Sequence, residues 1–214
     1  MADIFQEIEE DLRRERMKRL WDRYGGIAVG LILALALAVA AWQGWRWYER
    51  EQRVKAAERF ASALATAARG EHAAAIDAFA SLARDGPAGY RLLARLQEAA
   101  GRGAQGDRAG AVGLYESLAA DSATPPLYRD LVTVLSVLHQ ANEGDAAALA
   151  SRLEPLAAEG APFRHTAREL QAALALRRGD RAAAESLLRR VAEDATAPDG
   201  ARRRAGEVLA SLRS

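Results

Sequence analysis

A run of 22 residues without a charged side chain, from Tyr24 to Trp45, interrupts an otherwise highly charged chain of 214 residues. Wound as an α-helix at roughly 1.5 Å per residue, the run is about 33 Å long and matches the hydrocarbon core of a bilayer. The pattern therefore predicts a single transmembrane helix over 24–45. A charged N-terminal tail precedes it over 1–23, and a soluble region follows over 46–214.

Aromatic residues mark both edges of this run. Every tryptophan of the chain lies at one of its two ends, and two tyrosines lie beside them: Trp21, Tyr24, Trp42, Trp45, Trp47 and Tyr48. Tryptophan and tyrosine concentrate at the two membrane–water interfaces of a spanning helix. The alternative for an apolar run is a buried core helix, but such a helix rarely has all the tryptophans of a chain at its two ends.

Two properties of the span concern processing and orientation. Ala38-Val39-Ala40 has the small-x-small form of a signal-peptidase site, but residues 1–23 carry seven Asp/Glu beside six Lys/Arg, unlike the short positive start of a signal peptide. We therefore favour an uncleaved signal anchor. Six Lys/Arg precede the span and five follow it over 46–59, a weak bias towards a cytoplasmic N-terminus.

The region after the span is rich in Ala, Leu, Arg and Glu, which favours helices throughout. A glycine followed by an acidic residue recurs at intervals of 36, 38 and 35 residues, as in repeats of helix pairs. The recurring dipeptides are Gly70-Glu71, Gly106-Asp107, Gly144-Asp145 and Gly179-Asp180. Each glycine is predicted to end one helix in a left-handed conformation, and each acid to cap the next.

The residues that follow these turns also repeat. A mostly small residue lies five positions after each glycine, at Ala75, Ala111, Leu149 and Ala184, and a large one lies nine positions after, at Phe79, Tyr115, Leu153 and Leu188. In the first unit, Ala75, Phe79 and Pro87 reproduce the later part of the tetratricopeptide pattern, whose early W-x2-L-G-x2-Y part is missing.

The spacing predicts an all-α, tetratricopeptide-like solenoid of helical hairpins behind the membrane helix. About four helix pairs are expected, with a capping helix over 199–212, and the pairs cover roughly 52–84, 88–120, 127–159 and 163–194. The first helix, over 49–68, is expected to follow the span after a short break. Three first helices open on an aromatic residue and an arginine, Tyr90-Arg91, Tyr128-Arg129 and Phe163-Arg164. We expect the rings to pack between repeats and the arginines to face solvent.

Composition argues against catalysis and against metal or cofactor binding. The chain has no cysteine, which excludes disulfides, thiol nucleophiles and Cys-ligated zinc. Its three histidines, at 72, 139 and 165, lack metal-ligand spacing and are expected at helix surfaces or ends. The glycines at 101, 103 and 106 match G-x-G-x-x-G literally, but a helical pattern precedes them where a nucleotide site needs a strand, so we interpret them as an inter-helix loop.

Charge patterning gives no sign of nucleic-acid binding or of a small-molecule substrate. The formal net charge is +1, so no overall field attracts a polyanion. Arg202, Arg203 and Arg204 are interpreted as the polar outer face of the capping helix, and the acidic run Glu9-Glu10-Asp11 as part of a solvated amphipathic helix.

One feature of the span indicates a partner within the membrane. Gly26, Gly30, Ala34 and Ala38 recur every four residues, a spacing that lets two transmembrane helices approach closely. Since glycine and alanine are common in such helices, this docking face is a hypothesis from spacing alone.

The layout of tail, span and degenerate repeats resembles the YfgM-type ancillary subunits of the Sec translocon. The local resemblance is clearest at Gly44-Trp45-Arg46-Trp47-Tyr48 and at Tyr90-x2-Leu93-Ala94-x-Leu96, while the charge-dense tail departs from it. The resemblance implies an inner-membrane protein with a cytoplasmic N-terminus and periplasmic repeats. Its implied partners are translocon subunits, periplasmic chaperones and client chains.

In tetratricopeptide folds the first helix of each pair lines the concave surface. The residues that this rule makes candidate groove contacts are Arg91, Arg95, Glu98, Arg129 and Arg168. The leading interpretation is a membrane-anchored adaptor, with no catalytic residue implied. The main alternative is a scaffold for another cell-envelope complex, in division or outer-membrane assembly, and an enzyme within the solenoid ranks far behind.

Overall fold

A computed structural model describes the backbone of residues 2–213 and the side chains of residues 17, 18, 21–24, 26, 27, 29–31 and 33–212. Within that backbone range the chain forms nine α-helices and no strand. The helices are α1 Ala2–Ala68, α2 His72–Asp85, α3 Ala88–Ala104, α4 Arg108–Ala120, α5 Pro126–Gln140, α6 Ala146–Ala157, α7 Arg164–Arg177, α8 Arg181–Ala192 and α9 Asp199–Arg213. The side chains of Glu9, Glu10 and Asp11 lie outside the described residues.

The chain divides into two compact units, Met1–Val54 and Lys55–Ser214. The first unit holds the apolar run, and α1 is long and apolar enough over Val29–Ala68 to cross a membrane by length and composition. None of its apolar window is buried against the rest of the protein. The short break that we expected after the span is wrong, because α1 is continuous from Ala2 to Ala68.

In the second unit, helices that follow one another along the chain pack together. The end of α1 packs on α2 and α3, where the Phe60 ring lies 5.5 Å from that of Phe79 and 6.0 Å from that of Tyr90. The small and large positions predicted from the repeat are all buried, at Ala75, Ala111, Leu149 and Ala184 and at Phe79, Tyr115, Leu153 and Leu188. This alternation of sizes lets the paired helices interlock, and the all-α tetratricopeptide-like fold is confirmed.

Three of the four predicted glycine turns have the predicted conformation. Gly70, Gly106 and Gly179 take φ values of +84°, +88° and +77°, a region that is costly for residues with a Cβ. Gly144 does not, and the other described glycine with a positive φ is Gly160, at +80°, in the connection between α6 and α7. The prediction for Gly144 is therefore wrong, and that turn forms without a left-handed residue.

The acids after these glycines cap the following helices in three cases of four. Side chains of Asp107, Asp145 and Asp180 accept hydrogen bonds from backbone N–H groups in the first turns of α4, α6 and α8. Glu71 makes no such bond and accepts one from Arg69 Nε at 2.7 Å. The shorter Asp side chain reaches the free N–H groups of a helix start.

The last helix, α9, completes the second unit. Ala201, Ala205 and Leu209 bury one face of α9 against α7 and α8, while Arg203 and Arg204 stay exposed on its other faces. Arg204 binds Glu169 of α7 through Nε and Nη2 at 3.1 and 2.9 Å. An apolar stripe with a charged outer face is the pattern of a terminal repeat that closes a solenoid.

The glycines of the G-x-G-x-x-G match do not form the loop that we expected. Gly101 and Gly103 lie inside α3, and only Gly106 is in the connection to α4. A Cβ on Gly101 would meet Ile76 at 2.8 Å, and one on Gly103 would meet the His139 ring at 2.5 Å. Here the glycines allow α3 to approach its neighbours closely.

Candidate protein-binding surface

Two of the predicted groove residues, Arg91 and Arg95, line one cleft. They lie one helical turn apart on α3, at the side of an open cleft of about 470 Å³. The cleft is bounded by the end of α2, the start of α3 and the connection after α4. Its lining is Ala83, Arg84, Ala88, Gly89, Arg91, Leu92, Arg95, Leu118, Asp121, Ala123, Thr124 and Pro125.

The polar groups of this cleft are unevenly matched. Arg95 donates to Ser117 Oγ at 2.8 Å and lies 3.5 Å from Asp121 Oδ2. Arg84 and Arg91 are exposed, and among the described side chains neither forms a hydrogen bond or an ion pair. The cleft lining thus contains three guanidinium groups and one carboxylate, so its net charge is positive.

The structure places Glu98 away from this cleft. Its carboxylate is buried and accepts from Arg102 Nε and Nη2 at 3.1 and 2.9 Å. Arg102 also lies 3.3 Å from Asp107, and these two carboxylates raise the pKa of the guanidinium. The Gly110 N–H and Arg102 in turn lower the pKa of Asp107. Glu98 thus belongs to a network that joins α3 to the start of α4.

Arg129 lies elsewhere, on the first turn of α5. It is half-buried, and its Nε is buried without a hydrogen-bond partner among the described residues. We expected the arginines of the aromatic–arginine pairs to face solvent, and this prediction is wrong for two of the three. Arg91 is exposed, while Arg129 and Arg164 are half-buried.

Arg168 is a buried residue of α7. Its side chain is 3% exposed, and its Nε donates to the Ala157 carbonyl at 3.0 Å. Two carboxylates face it, with Glu159 Oε1 at 3.5 Å from Nη2 and Asp194 Oδ2 at 3.9 Å from Nη1. The guanidinium joins the ends of α6 and α8, a structural position with little surface left for a partner.

His165, the second residue of α7, lies beside Arg168; it is at a helix end, as predicted, but it is buried. Neither ring nitrogen has a hydrogen bond among the described residues, and Nδ1 lies 3.7 Å from Asp194 Oδ2. Burial, followed by the charge of Arg164, lowers the pKa of the imidazole. Hydrogen bonds from Thr196 lower the pKa of Asp194, with His165 and Arg164 adding to the effect.

These two places are copies of one arrangement, which our sequence analysis missed. An aromatic-Arg-x3-Arg motif opens α3 as Tyr90-Arg91-x3-Arg95 and α7 at Phe163-Arg164-x3-Arg168. The aspartates that face the second arginines, Asp121 and Asp194, each follow 26 residues later. The repeat of the motif with its aspartate was a signal in the sequence that could have revealed the pair.

The aspartates have the same local geometry in both copies. Asp121 Oδ1 accepts from the Ala123 N–H at 2.9 Å, and Asp194 Oδ1 accepts from the Thr196 N–H at 2.8 Å. The residue after each of these donors is buried, and a proline follows it. We call the two arrangements the N-terminal copy (Arg91, Arg95, Asp121) and the C-terminal copy (Arg164, Arg168, Asp194).

The small residues of the apolar run form an exposed stripe on α1. Gly26, Gly30, Ala34 and Ala38 are all exposed, and a Cβ built on Gly26 or Gly30 would meet no atom within 4 Å. Cations lie over aromatic rings at both ends of the run, with the Arg23 guanidinium 5.8 Å from the Tyr24 ring centre and that of Arg46 5.0 Å from the Trp42 ring centre.

A smaller cleft of about 240 Å³ lies between α7, α8 and α9 and is lined mainly by alanines and leucines, with the Glu169–Arg204 ion pair at its side. Within the part of the chain that the structure describes, no three His, Asp or Glu side chains are grouped as a metal site requires.

Comparison with known proteins gives one match. The family model described as a tetratricopeptide repeat-like domain covers residues 18–184, more than three quarters of the chain. The matched range begins before the uncharged run and ends within α8, so it includes the apolar helix as well as the repeats. No curated protein and no solved structure matches the chain.

Proposed function

Because the chain belongs to the tetratricopeptide repeat-like domain family, we propose that it is a membrane-anchored adaptor for protein–protein interaction. In this proposal, α1 anchors it in the bacterial inner membrane with the N-terminus in the cytoplasm and the repeats in the periplasm. There it associates with the Sec translocon and with periplasmic chaperones that handle translocated chains.

The observation that carries the membrane part is the exposure of the apolar run. The described large apolar side chains between Ile27 and Val39 are 42–71% exposed along α1. In water such a surface would be strongly unfavourable, at about 25 cal/mol for each Å² of apolar area. A bilayer covers it, and the tryptophans at both ends fit the two interfaces. The family match includes this run, which supports an anchor that belongs with the repeats.

The adaptor part is supported by the repeat architecture. Stacked helix pairs present an extended surface that holds peptides or the faces of folded proteins. The cleft beside Arg91 and Arg95 offers both apolar and cationic groups on that surface. The proposed partners and compartment are supported by the resemblance of tail, span and repeats to the YfgM-type subunits.

Topology can be tested directly because the chain has no cysteine. One variant carries a cysteine at Ala210, which is exposed on α9, and a second carries one at Ala2 as the mirror control. In intact cells with a permeabilised outer membrane, a maleimide that cannot cross the inner membrane should label only the first. Labelling of the Ala210 cysteine only after lysis would place the repeats in the cytoplasm and contradict the proposed compartment.

Partner identity is tested by crosslinking in intact membranes followed by purification of the full-length protein. Translocon subunits and periplasmic chaperones should be enriched over a control protein that carries only residues 1–54 of this chain. Enrichment of division or outer-membrane assembly proteins without translocon subunits would favour the envelope-scaffold alternative. Recovery of the same proteins by residues 1–54 alone would show that the repeats contribute nothing.

We also propose that the stripe Gly26, Gly30, Ala34 and Ala38 packs against a second transmembrane helix. Replacing Gly30 and Ala34 with leucine should at least halve the crosslinked membrane partner, because the larger side chains hold the helices apart. A matched control replaces Leu35 and Val39, which lie on the opposite face of the helix, with isoleucine. Equal recovery from both variants would sink this part of the proposal.

A further inference from the structure

We propose that the cleft of the N-terminal copy binds a glutamate side chain of a partner protein, carried on a short segment with apolar neighbours. This inference rests on the proposed adaptor function and names the chemistry that the adaptor recognises. It comes from comparing the two copies of the aromatic-Arg-x3-Arg motif within this chain.

In the C-terminal copy the cations face acceptors from the same chain, although Nη2 of Arg168 has no hydrogen bond among the described residues and only an ion-pair contact with Glu159. Arg168 is held by the Ala157 carbonyl, by Asp194 and by Glu159. Arg164 lies 3.7 Å from Asp194. Glu159 also lies 4.0 Å from Arg190. This copy thus contains two carboxylates, one following α8 and one supplied by the loop after α6.

The N-terminal copy has only the first of these carboxylates. Asp121 faces Arg95 as Asp194 faces Arg168, at 3.5 and 3.9 Å. The counterpart of Glu159 is Asp85, since both come three residues after a buried leucine, but Asp85 is exposed and does not line the cleft.

The difference follows from where the preceding helix ends. In the C-terminal copy α6 ends at Ala157, one residue after the buried Leu156, so the loop with Glu159 turns towards Arg168. In the N-terminal copy α2 continues to Asp85, three residues beyond the buried Leu82. The end of α6 and its loop cover Arg168, with the Glu159 side chain itself left exposed, whereas Arg95 faces an open cleft.

The lining of the open cleft is chemically complementary to a segment like the one that carries Glu159. Arg84 and Arg91 offer guanidinium groups that pair with no described side chain, and guanidinium forms strong charge-assisted hydrogen bonds with carboxylates. Ala83, Leu92 and Leu118 give the cleft an apolar wall. Charge complementarity therefore favours an acidic side chain with small apolar neighbours, as Glu159 has in its own loop.

The chain itself supplies a probe. A synthetic peptide of the sequence Pro-Leu-Ala-Ala-Glu-Gly-Ala-Pro-Phe, residues 155–163, contains the filling segment with a single charge once both ends are blocked. Carrying an uncharged fluorophore, it is titrated with full-length protein in nanodiscs of zwitterionic lipid, and anisotropy reports binding. A second peptide has glutamine at the Glu159 position.

We expect the glutamate peptide to bind about tenfold more tightly than the glutamine peptide, with the difference falling as salt is raised. Arg91→Gln and Arg84→Gln should each remove most of that difference and leave the glutamine peptide unaffected. The matched control is Arg203→Gln, which removes the same charge from an exposed position on α9. Circular dichroism checks that each variant is folded.

Equal binding of the two peptides, no binding of either, or an equal effect of Arg203→Gln would overturn the carboxylate proposal. None of these results would touch the adaptor proposal, whose test is the recovery of membrane and chaperone partners by crosslinking. If those partners were not recovered while the glutamate peptide still bound more tightly, the adaptor proposal would fail and the carboxylate site would stand.

Discussion

The two copies of the aromatic-Arg-x3-Arg motif share the aromatic position, both arginines and the spacing to the aspartate, but they differ in the folded protein. Arg168, in the C-terminal copy, is 3% exposed and bonded to a backbone carbonyl. Its counterpart Arg95 is 27% exposed, is bonded to Ser117 and Asp121, and faces an open cleft. The same side chain serves as an internal connection in one place and as part of a surface in the other.

This difference shows how a solenoid specialises its units. Repeats share helix pairing, so their cores use the same small and large positions, which are buried throughout. The connections between pairs are free to vary, because few core contacts depend on them. A helix that ends earlier supplies an acceptor and a carboxylate to the next pair, and one that continues leaves a cleft.

The largest expected effect concerns stability. Arg168→Ala should lower the free energy of unfolding by about 3 kcal/mol, since it removes buried packing and leaves the Ala157 carbonyl without its donor. Arg95→Ala should cost about 1 kcal/mol, because its bonds are partly open to water. Chemical denaturation of the full-length protein, followed by circular dichroism, measures both. Similar losses would show that the two copies are equally structural.

A second prediction uses the buried His165, which has no counterpart histidine in the N-terminal copy. Burial and Arg164, with Arg168 adding, lower the pKa of this imidazole below 6.5, while Asp194 and Glu169 oppose the shift. Between the folded and unfolded pKa values the unfolded chain binds more protons than the folded chain. The stabilisation that depends on a neutral His165 is therefore fully present above pH 6.5 and is lost as the pH falls through the folded pKa.

The melting temperature should therefore fall between pH 7.5 and 5.5, and His165→Gln should reduce the slope of that fall. The exposed His72, replaced in the same way, serves as the control. The measured quantity is the pH slope, since the glutamine changes packing at every pH. An unchanged slope in His165→Gln would mean that the protonated ring is hydrated in the folded protein, so that His165 is not the source of the pH dependence.

The smallest expected change in stability comes from closing the open copy. Arg84→Glu places a carboxylate in the cleft lining with Arg91 and Arg95, but also in the last turn of α2 beside Asp85; since these effects oppose each other, stability should change by no more than roughly 0.5 kcal/mol. The same variant should lose the glutamate peptide, whereas Arg84→Ala serves as a control for removal of the arginine alone. Unaltered peptide affinity in Arg84→Glu would separate the cleft from carboxylate binding.

Much of the fold could be predicted because it depends on periodic features. The spacing of Gly70, Gly106 and Gly179 revealed the period of the helix pairs, and the residues five and nine positions later formed their buried faces. Gly144 was mispredicted because its turn closes without a left-handed residue. The break after the span was mispredicted because no residue between Trp45 and Ala68 interrupts the helix.

The candidate site was only partly predictable. The rule that first helices line a groove selected Arg91 and Arg95, which share a cleft, but also Glu98 and Arg168, which are buried. Sequence spacing gives the face of a helix, yet it does not show which neighbouring loop covers that face. Only the positions of the helix ends separate an exposed arginine from a buried one.

The sequence by itself determined the apolar helix, the all-helical repeat and the small-to-large packing of each pair, because these depend on composition and on spacing along a single helix. The tertiary structure decided which copy of the arginine motif is closed and which is open. That outcome depends on where α2 and α6 end and on whether the following loop brings a carboxylate to the guanidinium. Burying a charge is tolerated only when it forms hydrogen bonds or ion pairs with other groups. For Arg168 these groups come from segments that are distant in the sequence, so spacing along one helix does not reveal them.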